Sequence, residues 1–184
     1  MTRTSFMPTD AILVVVDVQE AFRAVIGEFT SLVGKVCTAV RGAELLGFEV
    51  VVTEQYPKGL GPTAEEVSLL LPAVAVRMEK TSFGILGEDS IARHLKGSGK
   101  RQVVVCGLET HVCVSQSCHQ LLDSGFEVFL LEDAVASRFE NDRTTALNRL
   151  RDAGVIVTTV EALLFEGMGD SKHPNFKEIQ ALVK

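Results

Sequence analysis

Six short runs of β-branched and aliphatic residues, separated by longer amphipathic stretches, constrain this chain more than any other feature of its sequence. The runs are Ala11–Asp17 (AILVVVD), Glu49–Thr53, Ala73–Arg77, Gln102–Cys106, Glu127–Leu131 and Val155–Thr158. A strand that is apolar at successive positions needs cover on both faces, and parallel sheets packed between crossover helices supply it. The stretch Phe29–Leu46 carries Leu32, Val33, Val36, Val40, Ala43 and Leu46 at helical spacing, with Gly47 as its stop. Further helices are predicted at Ala64–Leu71, Asp89–Leu95, Thr110–Ser124, Asp142–Ala153 and Asn175–Val183. The pattern predicts an α/β fold, a three-layer α/β/α sandwich around a six-stranded, mainly parallel sheet, for which the order 3-2-1-4-5-6 is assumed. With no repeat or linker in 184 residues, a single domain over 1–184 is expected.

Composition narrows the partners. The net charge is −6, from 18 Lys and Arg against 24 Asp and Glu, and the cations form no basic run, which argues against nucleic acid. The apolar run Ala11–Val16 is far shorter than the roughly 20 residues that cross a bilayer, so no membrane association is expected. The N-terminal MTRTSFMPTD lacks an apolar secretory segment, which points to the cytoplasm. Cys37, Cys106, Cys113 and Cys118 are too sparse for a disulfide scaffold and read as free thiols. The spacing of Cys106, His111, Cys113, Cys118 and His119 contains no C-x-x-C, and Cys106 lies inside a strand, so no zinc site is expected. The turn after the first strand, DVQEAF, has neither a glycine-rich phosphate loop nor the paired acids of a receiver module, which disfavours flavin and dinucleotide cofactors.

In an open parallel sheet, ligands bind beyond the carboxyl ends of the strands where the winding reverses. For the order 3-2-1-4-5-6 that point lies between strands one and four, so Asp17 and Cys113 face each other across it. Cys113 falls in the first turn of a helix N-capped by Thr110, where the helix dipole is expected to lower the thiol pKa. Asp17 ends a wholly apolar strand, and its carboxylate requires a partner or a raised pKa. A small buried cysteine and a helix-capping aspartate are the plain structural alternatives. Pattern alone does not bring Lys80 to this place, because strand three is not adjacent to the reversal.

The segments VVVDVQEAF at 14–22, EKTSF at 79–83 and VVVCGLETHVCV at 103–114 resemble the three signature segments of the isochorismatase-like cysteine hydrolases. The loop TEQYPKGLGPT at 53–63 is similar to the isochorismatase domain-containing subgroup. The resemblance runs over essentially the whole chain. It implies a Cys113 nucleophile, an Asp17 base and a Lys80 cation acting on a small-molecule amide, ureide, imide or vinyl ether. It also implies a cis peptide at Leu108–Glu109 that aims the backbone amides of Glu109 and Cys113 at an oxyanion, and a homo-oligomer. Metal-dependent nicotinamidases of the family carry an Asp-x-His pattern and a further His after strand two, where this chain has Thr53-Glu54-Gln55-Tyr56-Pro57, so no metal and no other cofactor is expected. Gln19, Phe22, Gln55, Tyr56 and Phe83 are expected to line the pocket, with His111 as a neighbour of the substrate. A non-catalytic scaffold of the same fold is the alternative, against which the intact Asp17, Lys80 and Cys113 set argues.

Overall fold

The computed structural model describes residues 5–184; residues 1–4, part of the stretch read for a secretory segment, lie outside the described residues. Strands β1 (Ala11–Val16), β2 (Glu49–Gln55), β3 (Val76–Lys80), β4 (Gln102–Leu108), β5 (Glu127–Ala136) and β6 (Ile156–Thr158) form one sheet of order β3-β2-β1-β4-β5-β6. Every neighbouring pair is parallel. The helices are α1 (Phe29–Leu46), α2 (Pro57–Leu60), α3 (Glu65–Leu70), α4 (Asp89–Gly97), α5 (Ser115–Asp123), α6 (Glu140–Ala153), α7 (Val160–Met168) and α8 (Phe176–Leu182).

The unbroken apolar run of β1 follows from its place at the sheet centre. Leu13 and Val15 pack into the core under α1, α3, α7 and α8, while Ile12, Val14 and Val16 pack into the opposite core under α4, α5 and α6. All six residues of β1 are buried. Among the described residues no helix is long and apolar enough to cross a membrane.

The third strand departs from expectation. It runs from Val76 to Lys80, not over Ala73–Arg77, because Pro72 to Ala75 close a turn and Val74 is left 83% exposed. An edge strand needs no continuous apolar run, and Arg77 and Glu79 point to solvent. Lys80 is therefore the last residue of β3, not part of a loop. The expected helix Thr110–Ser124 divides into a π-helical turn, Thr110–Val114, and α5. Helix α7 was not legible as a separate element; Thr159 caps it by accepting from the Ala162 amide at 3.3 Å.

Gly107 decides how closely β4 approaches β1. It pairs with Val16 in the ladder at φ +118°, and a Cβ there would lie 2.0 Å from the Val16 carbonyl oxygen. Any side chain would force the two central strands apart just before the residues that carry the site. Gly107→Ala is expected to destabilise the fold by at least about 3 kcal/mol, read as a shift of the urea midpoint. A midpoint within error of wild type would contradict the close approach.

Candidate active site

Three strands deliver three side chains to one buried point at the carboxyl edge of the sheet. Asp17 follows β1, Lys80 ends β3, and Cys113 sits in the π-helical turn after β4; they are 0%, 2% and 7% exposed. The Asp17 Oδ2 and Lys80 Nζ atoms are 2.6 Å apart. The Asp17 and Lys80 charges both act on the buried Cys113 thiol.

Lys80 reaches this point across β2. Two strand spacings are about 9–10 Å, a gap that a long lysine side chain and a short aspartate side chain span together. Its ammonium donates to Gln55 Oε1 at 2.7 Å and to the carbonyls of Ser82 and Phe83 at 3.1 Å each. Asp17 adopts φ +52°, a left-handed conformation unusual for a residue other than glycine. Its Oδ1 accepts the Thr53 hydroxyl at 2.7 Å, and its backbone amide donates to the Thr53 carbonyl.

The thiol contradicts the expected lowering by a helix dipole. Burial pushes the Cys113 pKa up to about 12, the Asp17 charge adds to the rise, and the Lys80 charge opposes it. A π-helical turn stands where a regular first helical turn was expected, and loss of solvation is the largest cause of the shift. Burial thus favours the neutral thiol.

The remaining candidates divide by position. Gln19 is fully buried and spends its amide on backbone, donating to the Gln55 and Gly61 carbonyls and accepting the Gln55 amide at 2.8 Å. It props the β2 exit instead of facing a ligand. Gln55 grips Lys80 and donates to the Thr81 carbonyl. Phe22 is half-buried against the α1-side core. Tyr56 and Phe83 are 57% and 54% exposed, and Tyr56 flanks a cleft of about 390 Å³ that has Lys80 in its wall. His111 turns away, with Nδ1 2.9 Å from Ser137 Oγ and Nε2 3.9 Å from Asp142. The Leu108–Glu109 peptide is cis. The Glu109 carboxylate accepts from the Arg138 Nε and backbone amide at 3.0 and 3.2 Å.

Sequence reasoning passed over Thr53 and Gly107. Each carried a signal, a hydroxyl in an apolar strand and a glycine inside one. Among the described residues no group of three or more His, Cys, Asp or Glu could hold a metal ion.

Comparison with known proteins agrees with the architecture. The isochorismatase domain family matches residues 11–162. Isochorismatase domain-containing protein 2 of Danio rerio is 42% identical over 94% of this chain and 86% of its own length. Isochorismatase domain-containing protein 1 of the same organism is 39% identical over 100% of this chain, which spans only 64% of that relative's length. The solved structure of the MAR1 ribonuclease from Caenorhabditis elegans superposes with a TM-score of 0.92 at 35% identity, covering 98% of this chain and 92% of that one.

Carbamidomethylation of Cys113, followed by peptide mapping, is expected to keep accelerating through pH 9.5. A free thiol levels off above its pKa of about 8.5. A plateau by pH 9 would show that the thiol is not held protonated by burial.

Proposed function

The chain belongs to the isochorismatase family, and on that basis we propose that it is a hydrolase of small molecules with Cys113 as nucleophile, Asp17 as proton acceptor and Lys80 as their electrostatic partner. The observation that carries this reading is the convergence of the three side chains, from three strands, in one buried place. A carboxylate held on one oxygen by Thr53 and on the other by Lys80 has a defined orientation toward the thiol.

For an amide substrate the steps balance as follows. The Cys113 proton passes to Asp17 as the sulfur bonds to the carbonyl carbon, and the carbonyl oxygen takes the negative charge. The backbone amides of Glu109 and Cys113 are assigned to that oxyanion. Asp17 returns the proton to the leaving nitrogen as the C–N bond breaks, which leaves a thioester. Water then gives a proton to Asp17 while it attacks the thioester, and the thiol is regenerated with release of the acid. Lys80 keeps its charge throughout, holding Asp17 in place and lowering the cost of negative charge on sulfur.

The substrate class is a small amide, ureide, imide or vinyl ether. Net charge −6 and the acidic side chains of Glu79 and Glu88 around the Lys80 cleft favour small neutral molecules over RNA, the substrate that the name of the C. elegans neighbour implies for that protein. A homo-oligomer is part of the same reading, with Phe165 on α7 left 37% exposed as a candidate contact.

Turnover of a panel of such substrates tests the assignment. Cys113→Ala is expected to fall to background, and Asp17→Asn to lose about 10²–10⁴-fold. Asp17→Asn removes a charge that raises the thiol pKa, so its Cys113 should alkylate faster while hydrolysis is lost. Retained hydrolysis in Asp17→Asn would overturn the base assignment. No turnover of any panel member by wild type would favour the scaffold reading.

A further inference from the structure

The Lys80 ammonium is held in place by carbonyls of a segment that has no regular structure except one short turn, Ile85–Gly87. Ser82 and Phe83 each accept from Nζ at 3.1 Å. Loop carbonyls are only as fixed as whatever grips the loop, and here the grip comes from α5. The Ile85 amide donates to Ser117 Oγ at 3.2 Å, and the Leu86 amide donates to Gln120 Oε1 at 2.9 Å. Gly84 packs so tightly against Gln120 that a Cβ would lie 2.4 Å from Oε1. The Ser82 hydroxyl closes the segment on itself by donating to the Gly84 carbonyl at 2.9 Å.

Ser117 has a second bond, and it leads to the nucleophile. Its hydroxyl donates to the Cys113 carbonyl at 2.6 Å while accepting from Ile85. The side chain is fully buried, so neither bond is shared with solvent. One oxygen thus connects the backbone of Cys113 to the segment that cages Lys80. We propose that Ser117 is a positioning residue that sets the separation between the Cys113 sulfur and the Lys80 charge. The inference rests on the hydrolase reading in taking those two groups as the reacting pair.

The sensitivity is large enough to measure. At an effective dielectric of about 20, moving a unit charge from about 4 Å to about 6 Å weakens its interaction by roughly one pKa unit, a tenfold change in thiolate population. A Lys80 cage that loses its tie to α5 therefore makes sulfur less reactive without removing any reacting group.

The test is the second-order rate of Cys113 carbamidomethylation between pH 7 and 10, with the modified residue located by peptide mapping. Ser117→Ala is expected to react about tenfold more slowly at pH 8, with its profile displaced upward by about one unit. Ser117→Thr, which keeps the hydroxyl, is expected to stay within about twofold of wild type. Leu163→Ala, a core truncation in α7 on the opposite face of the sheet, controls for lost stability and should keep the wild-type profile. If Ser117→Ala does not fold, Gln120→Ala cuts the same loop at Leu86 and should shift the profile in the same direction. A Ser117→Ala or Gln120→Ala protein with lowered Tm and an unchanged profile overturns the inference. If Lys80→Ala also leaves the profile unchanged, the cation assignment fails and the hydrolase reading fails with it, an outcome distinct from failure of the serine alone.

Discussion

A lysine and an aspartate, both nearly inaccessible to solvent and 2.6 Å apart, set the terms for the rest of the molecule. Removing two charges from water costs several kcal/mol for each ion, and their mutual attraction offsets that only when the remaining donors and acceptors are also satisfied. Most are satisfied here: Thr53 bonds one aspartate oxygen and Gln55, Ser82 and Phe83 take the lysine hydrogens, so that Asp17 Oδ2 faces the lysine charge without a hydrogen bond of its own. The partners come from β2 and from the segment after β3, so the pair forms only when three strands are in register. A buried pair of this kind adds little net stability, because the cost of desolvation offsets much of its attraction.

The sheet supplies the rigidity that the pair requires. β1 and β4 lie side by side at the winding reversal, and Gly107 lets their backbones approach closely immediately before the site. Asp17 then leaves β1 in a left-handed conformation, which turns the chain away at the sheet edge. Cys113 arrives from β4 through a π-helical turn, and burial raises its thiol pKa by more than the lysine's charge lowers it. Such burial favours the neutral thiol, whereas a preformed thiolate would need a more exposed, electropositive setting.

Much of the layout was legible from residue pattern. The continuous apolar runs of β1 and β4 marked central parallel strands, since only strands covered on both faces tolerate them. The edge strand β3 was misplaced because Ala73-Val74-Ala75-Val76 imitates a buried run, while the real strand carries exposed Arg77 and Glu79. Gln19 looked like a pocket residue because it follows Asp17, yet its amide is committed to the backbone of the β2 exit. His111, two residues before the cysteine, faces Ser137 instead. Proximity in sequence does not report which way a side chain points in an irregular turn.

The sequence by itself determined the fold class and, once the strand order was assumed, two of the three side chains at the carboxyl edge, because one ends an apolar strand and the other follows one; Lys80 was implied only by the resemblance of EKTSF at 79–83. Tertiary structure alone decided that Lys80 crosses two strand spacings to reach Asp17, and that Ser117 and Gln120 hold the segment that cages it. It also decided the direction in which the Cys113 pKa moves. Local sequence foretold an acidic thiol at a helix start, but solvation depends on what packs around a group from distant parts of the chain, and here that packing removes water from the sulfur.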